Sequence, residues 1–224
     1  MMGQAGTGAA RNGTGPLFRT LVGLGVVCSA LIAMVYDLTQ PLIRQQRLEV
    51  LEEAIFSLWP QGRAMQSLRV DAAGELSRVD AAAPTDDVAH AVYDANQRLL
   101  GFAIIASGMG YQDRIALLYA YDAREEQVKG IRVLESRETP GLGDRIGYDK
   151  RFTASFATLP IPLDDDGRLM NKLAAAKPGT RSQPWEIDTI SGATISSRAV
   201  VDIVNRSAAR WLSVLREESE KESR

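Results

Sequence analysis

The spacing of apolar residues divides the chain into four stretches. Leu21 to Tyr36 (LVGLGVVCSALIAMVY) carries no charge, and Leu17, Phe18 and Leu38 extend it toward the ~20 residues that a helix needs to cross a bilayer. An apolar run with no polar face to show to water predicts a membrane span in preference to a buried core helix. After Pro41, Leu48, Leu51, Ile55 and Leu58 recur at helical spacing until Pro60-Gln61-Gly62 stops the pattern. This predicts a helix that continues from the membrane and packs on a domain. Between Val88 and Ser136 the pattern becomes short or alternating apolar runs at 88–94, 99–107, 115–122 and 127–136. They are separated by Asp94-Ala95-Asn96, Gly108-Met109-Gly110 and the polar residues 122–126. Strands in succession, with no helical pattern between them, predict an antiparallel sheet and argue against a doubly wound parallel one. Val200, Val204, Ala208, Trp211 and Leu215 then form one helical stripe. The fold class is α+β: one N-terminal transmembrane helix, then a mainly antiparallel sheet flanked by helices.

The implied organisation is a disordered cytoplasmic tail at 1–16, a transmembrane helix at 17–38, an extracytoplasmic domain at 39–216, and a charged, fraying tail at 217–224. Arg11 and Arg19 ahead of the span favour a cytoplasmic N-terminus, a bias that Arg44 and Arg47 beyond it reduce. A cleaved signal peptide is the rival reading. The run passes Ser29, Ala30 and Ala33 without an A-x-A site, and Cys28 follows Gly-Val-Val, which is no lipoprotein context, so a retained span is favoured.

Composition narrows the chemistry. The 224 residues carry 26 basic and 28 acidic side chains, so nothing suggests a nucleic-acid partner. One cysteine and one histidine, Cys28 and His90, argue against an internal disulfide, a Cys/His zinc site and a histidine-dependent hydrolase. No catalytic or metal-ligating set is visible. His90 falls in an alternating strand and reads as structural or exposed, and Trp59, Trp185 and Trp211 read as packing. Asp164-Asp165-Asp166-Gly167 lacks the later glutamate of a calcium loop and reads as a solvated turn.

The segment richest in chemistry is Asp188-Thr189-Ile190-Ser191-Gly192-Ala193-Thr194-Ile195-Ser196-Ser197, a small, hydroxyl-rich stretch that opens the last helix. Ser196 or Ser197 suits an N-cap. Gly192 and Ala193 keep bulk away from Thr194, and the helix start favours an anion nearby. On these residues alone, a plain helix cap and an anion site both remain open.

Asp188 to Thr194, DTISGAT, is similar to the flavinylation signature D-x-x-[ST]-G-A-[ST] of FMN-binding domains. The resemblance implies that Thr194 carries FMN through a phosphoester, with Asp188, Ser191, Gly192 and Ala193 around it. Glu138-Thr139-Pro140-Gly141-Leu142-Gly143-Asp144 resembles a loop of the G subunit of Rnf-type electron-transport complexes and of the C subunit of sodium-pumping NADH:quinone oxidoreductases. Gly110-Tyr111 and the order of parts resemble them too. The short length and Asp144 favour the Rnf-type G subunit.

That resemblance sets the expectations for the site. Pro140-Gly141 suits a tight turn with Gly at positive φ, and Thr139, Gly141, Leu142 and Gly143 are expected to border the isoalloxazine, Leu142 as an apolar contact. Arg114, Lys129 and Arg145 are the cations available to the phosphate, and the sequence does not choose among them. An alcohol such as Thr194 needs an activating base, and no His or Lys stands beside it. The chain is therefore not expected to flavinylate itself, and the resemblance implies an external flavin transferase that uses FAD and a divalent metal. No nicotinamide fingerprint or iron–sulfur cysteine set is present, so the chain is expected to relay electrons among other membrane and redox subunits. The implied location is the cell inner (cytoplasmic) membrane, with the C-terminal domain on the periplasmic side. The competing readings are a cofactor-free extracytoplasmic sensor or assembly module, and an FMN-binding subunit of a related membrane quinone reductase.

Overall fold

The computed structural model describes residues 14–70, 76–79, 85–86 and 88–222, in two units that divide between Gln46 and Arg47. Helix α1 (Thr14–Leu58) crosses that boundary, and its part in the first unit contains Phe18–Gln40, which is 23 residues long and apolar and has no residue buried inside the protein. At ~1.5 Å per residue such a helix covers the ~30 Å of a bilayer's hydrocarbon. Of the tail expected at 1–16, residues 1–13 lie outside the described residues, and Thr14 already opens α1.

In the second unit, seven strands form one antiparallel sheet. They are β1 (Ala64–Val70), β2 (Leu76–Val79), β3 (Val88–Tyr93), β4 (Leu99–Met109), β5 (Arg114–Asp122), β6 (Gln127–Ser136) and β7 (Leu159–Pro160), in the order β2-β1-β3-β4-β5-β6-β7. The four strands expected from the sequence are β3 to β6, displaced by at most two residues. Their apolar runs are nearly continuous because both faces of the sheet are covered. Val92, Ala103, Ile105 and Leu118 pack with Leu51, Ala54 and Ile55 from the last turns of α1. Phe102, Ile104, Leu117 and Tyr119, on the opposite face, pack with Val200, Val204 and Trp211 of the last helix, α3 (Thr194–Glu222). All five residues of its expected stripe are buried. A short parallel pair, β8 (Ala174–Ala176) and β9 (Glu186–Asp188), leads into α3.

Buried His90 meets the Ser67 hydroxyl at 3.1 Å, and burial lowers its pKa to about 4. Trp211 is fully buried, and a Cβ on Gly101 would stand 2.6 Å from the Trp59 ring, so both tryptophans serve packing. The acidic run forms a turn closed from the Gly167 N–H to the Asp164 carbonyl. Among the described residues, no group of His, Cys, Asp or Glu is arranged to hold a metal ion.

Of the fraying tail expected at 217–224, residues 217–222 instead continue α3 through Glu222, and residues 223–224 lie outside the described residues. The Tyr93 hydroxyl donates to Glu222 at 2.8 Å, and Ser219 is buried. Only the sheet reveals this docking, because the charges read alone look solvated.

A candidate flavin site at the start of the last helix

Three segments meet at one end of the sheet: the β4–β5 turn at 110–113, the loop after β6, and the loop between β9 and α3. After Ser136 the chain makes a tight turn at Thr139-Pro140-Gly141-Leu142. The Leu142 N–H donates to the Thr139 carbonyl at 3.1 Å, and Gly141 has φ of +75°. That is the position a type II turn reserves for glycine, with proline before it. A 3₁₀ turn (Gly143–Gly147) and the short helix α2 (Lys150–Ala154) follow, with Asp149 capping α2 through the Arg151 and Phe152 N–H groups.

The Ser-Gly-Ala-Thr segment repeats the design. The Ala193 N–H donates to the Ile190 carbonyl at 2.9 Å, and Gly192 has φ of +85°. The two glycine turns touch, since a Cβ on Gly192 would stand 3.6 Å from Leu142 Cδ2. Thr194 is the first residue of α3, so Ser196 and Ser197 are not its N-caps. Both lie within its first turn and bond to other segments. The Ser197 hydroxyl donates to the Ala193 carbonyl at 2.8 Å and accepts from the Ile190 N–H at 3.1 Å, which stiffens the turn before the helix.

Ser196 leads to Glu138. Its hydroxyl donates to Glu138 Oε2 at 2.5 Å, while the Gln112 and Asp113 N–H groups donate to Oε1 at 2.9 and 3.4 Å. Glu138 is only 4% exposed. Burial alone would push its carboxyl pKa up, but the bonds from Ser196 and the turn outweigh that and hold it below the ordinary glutamate value. The Thr139 hydroxyl adds a second tie between loops, donating to Gln112 Oε1 at 2.8 Å.

Of the three cations expected near the phosphate, Arg145 is bonded to the Ser-Gly-Ala-Thr segment. Its guanidinium donates to the Ser191 carbonyl at 3.0 Å and pairs with Asp149 at 3.0 Å. The Phe152 N–H keeps the Asp149 carboxyl below its ordinary pKa. Arg114 is engaged with Ser107 and Asp86. Lys129 lies toward the far end of β6, paired with Glu125 and Asp122.

The other residues expected at the site separate into two groups. Ser191, Gly192, Gly141 and Leu142 are exposed on the two turns, with Ala193 and Gly143 buried beneath them. Thr194 is half-buried, and Ile195 beside it is 56% exposed. Asp188 is engaged on its own side of the motif. It belongs to β9, and its carboxylate accepts from the Gly179 N–H at 3.0 Å. Thr189 pins the motif by donating its hydroxyl and its N–H to the Ala176 carbonyl, both at 2.9 Å. Glu138, Gln112, Ser196 and Arg145 as ties between loops were not legible in the sequence. Glu138 heads the second motif, which was its one available signal.

These residues fit an FMN. Nothing stands within 4 Å of a Cβ on Gly141, so a flat ring can lie against that backbone. Leu142 and Ile195 offer exposed apolar surface on two of the segments, and Met109 and Tyr111 do so beside the third. The start of α3 and Arg145 supply the positive end that a phosphate needs.

The comparisons with known proteins agree with this geometry. The FMN-binding domain family matches residues 110–209, which contain all three segments. The G subunit of the ion-translocating oxidoreductase complex of Pseudomonas aeruginosa is 30% identical over 204 residues, covering 88% of this chain and 85% of that protein. The chain belongs to this G-subunit family. A second member, from Methanosarcina acetivorans, is 28% identical over 186 residues, 83% of this chain and 88% of that one. Among solved structures, NqrC of Shewanella oneidensis superposes with a TM-score of 0.60 at 15% identity, over 79% of this chain and 99% of that one. The C subunit of a Na(+)-translocating NADH-quinone reductase from Parabacteroides distasonis gives 0.56 at 19% identity, over 77% and 92%. At those identities the likeness establishes the α+β fold, and membership of the G-subunit family rests on the sequence relatives.

Proposed function

We propose that this chain is the membrane-anchored, flavin-carrying member of an ion-translocating electron-transport complex, with FMN held as a phosphoester on Thr194. The carrying observation is the meeting of the two glycine turns, Leu142 against Gly192, beside the residue that opens α3. Membership of the G-subunit family and the FMN-binding match support the flavin and the complex. Phe18–Gln40 supports the anchor, and Arg11 ahead of it with Arg19 at its first turn favours a periplasmic domain. The bounds we propose are a span at 18–40 and a domain at 47–222.

Bound FMN supplies one- and two-electron redox chemistry. The chain supplies the rest. The Thr194 oxygen tethers the phosphate, and as a diester that phosphate carries one ionisation fewer. The Arg145 guanidinium and the first N–H groups of α3 balance its remaining charge. Gly141 would leave the ring room, and Leu142 and Ile195 would shield it from water. Attachment forms a bond between Thr194 Oγ1 and the phosphorus, breaks the pyrophosphate bond of FAD, and releases AMP and a proton. The transferase supplies the base and the metal, since no basic side chain adjoins Thr194 in sequence. Electron donors and acceptors are then the other membrane and redox subunits of the complex.

The test is a denaturing gel viewed under ultraviolet light, with the full chain made in cells that contain the transferase. The expected result is a fluorescent wild-type band and a dark band for Thr194→Ala at equal protein. A dark wild type overturns the proposal, as does a Thr194→Ala band of equal brightness.

A further inference from the structure

We propose that Glu138 is the positioning residue of the Thr194 site: its buried carboxylate clamps the β4–β5 turn to the first turn of α3 and so holds the Thr194 hydroxyl in place for flavin attachment. This inference rests on the attachment reading above.

Three observations carry it. First, a carboxylate in a loop between two elements is ordinarily solvated, yet Glu138 is buried. A buried charge persists only where donors surround it, and here they come from two other segments, the Gln112 and Asp113 N–H groups and the Ser196 hydroxyl. Second, the chain is built around this carboxylate. A Cβ on Gly110 would collide with Oε1, and a Cβ on Gly143 would stand 2.6 Å from Oε2 and 2.8 Å from the Ser196 hydroxyl. The glycines on both sides are therefore explained by the clamp. Third, the clamp acts close to Thr194 without consuming it. Ser196 lies two residues beyond Thr194 in the same helical turn, and the Ser191 carbonyl, held by Arg145, lies three residues before it. Thr194 stands between two pins, each anchored in the loop after β6. Both Glu138 oxygens are already committed to donors, so Glu138 acts through position and not as a base toward the threonine.

The experiment follows flavin attachment over time on the full-length chain in detergent, with a flavin transferase, FAD and Mg²⁺ added. Wild type, Glu138→Ala, Glu138→Gln and Ser196→Ala are compared, and amide hydrogen exchange is measured on the same proteins before flavin is added. Glu138→Ala orphans two N–H groups and a hydroxyl and is expected to slow attachment about tenfold, while Ser196→Ala, which frees only the helix end, slows it about threefold. Gln has the same shape, accepts from the turn and donates to Ser196, so Glu138→Gln is expected to stay within about twofold of wild type. Exchange should rise at 110–113 and 190–197 in Glu138→Ala while β4 and β5 stay protected. If the alanine variant does not fold, Ser196→Ala carries the same test.

Wild-type attachment rates in both Glu138→Ala and Ser196→Ala, or unchanged exchange at 190–197, overturn the clamp. A glutamine variant as slow as the alanine variant assigns the effect to charge and also overturns it. A wild type that takes up no flavin overturns the attachment reading itself, and the exchange measurement then decides the clamp alone.

Discussion

Strand β4 is buried on both faces from Phe102 to Ala106, with α1 on one side and α3 on the other. A few residues further on, Met109 at the end of β4 and Tyr111 in the β4–β5 turn are exposed, and the turn is fixed through the Glu138 carboxylate. The sheet centre is held by apolar area, which is non-directional and tolerant of small shifts. The site end is held by a few directed hydrogen bonds and two positive-φ glycines, which fix geometry while leaving surface open. A substitution in the first region should therefore cost stability, and one in the second should cost function.

The sharpest contrast is between Thr194 and Trp211, both in α3. Thr194→Ala should abolish flavin attachment, read by in-gel fluorescence, and change unfolding free energy by less than ~1 kcal/mol, because the side chain is only half-buried. Trp211→Ala should cost about 3–5 kcal/mol in denaturant unfolding, because it empties a fully buried position. An equal stability loss in the two variants would erase the distinction.

Acid should act on the two regions in different windows. His90 in the core has a pKa of about 4 when folded, against 6.5 when free. The unfolded chain therefore binds the proton first, so this contribution to stability is complete above pH 6.5 and is lost as pH falls toward 4. The loss amounts to about 3 kcal/mol at ~1.4 kcal/mol per pKa unit. Denaturant melts across that range should show it, and His90→Asn should flatten the curve. Glu138 has the opposite charge type but also a lowered pKa. Its contribution is present above the ordinary glutamate value and goes only as pH falls through the lowered one, so exchange protection at Gln112 and Asp113 should persist down to the ordinary glutamate value and be lost below it.

The smallest effect belongs to the first glycine turn. Gly141→Val places a branched side chain at φ of +75°, in open space. The strain should cost about 1–2 kcal/mol locally. Slower flavin attachment or an altered flavin spectrum, without core unfolding, is the expected outcome.

How much of this is legible in the sequence follows the same division. β3 to β6 and the stripe of α3 are readable because two-sided burial writes long apolar runs. β1 is not, since AMQSLRV mixes polar residues into a strand whose Ser67 faces a histidine. β8 and β9, three residues each, are too short to carry a period. At the site, the glycine turns and Thr194 stand out by residue type and by resemblance. Glu138 as a buried clamp does not, because a carboxylate in a loop reads as solvated until its donors, 25 and 58 residues away, are seen around it. Ser196 and Ser197 look like caps for a related reason: their partners lie outside the helix they sit in.

The central claim is a covalent flavin on Thr194, and its most direct test is mass spectrometry of the chain isolated from its native membrane. The account predicts that the peptide containing Thr194 is heavier by one FMN less one water, with the fragment ions placing the addition on that residue. A peptide with only the mass of its amino acids, or an addition on a different residue, would contradict it.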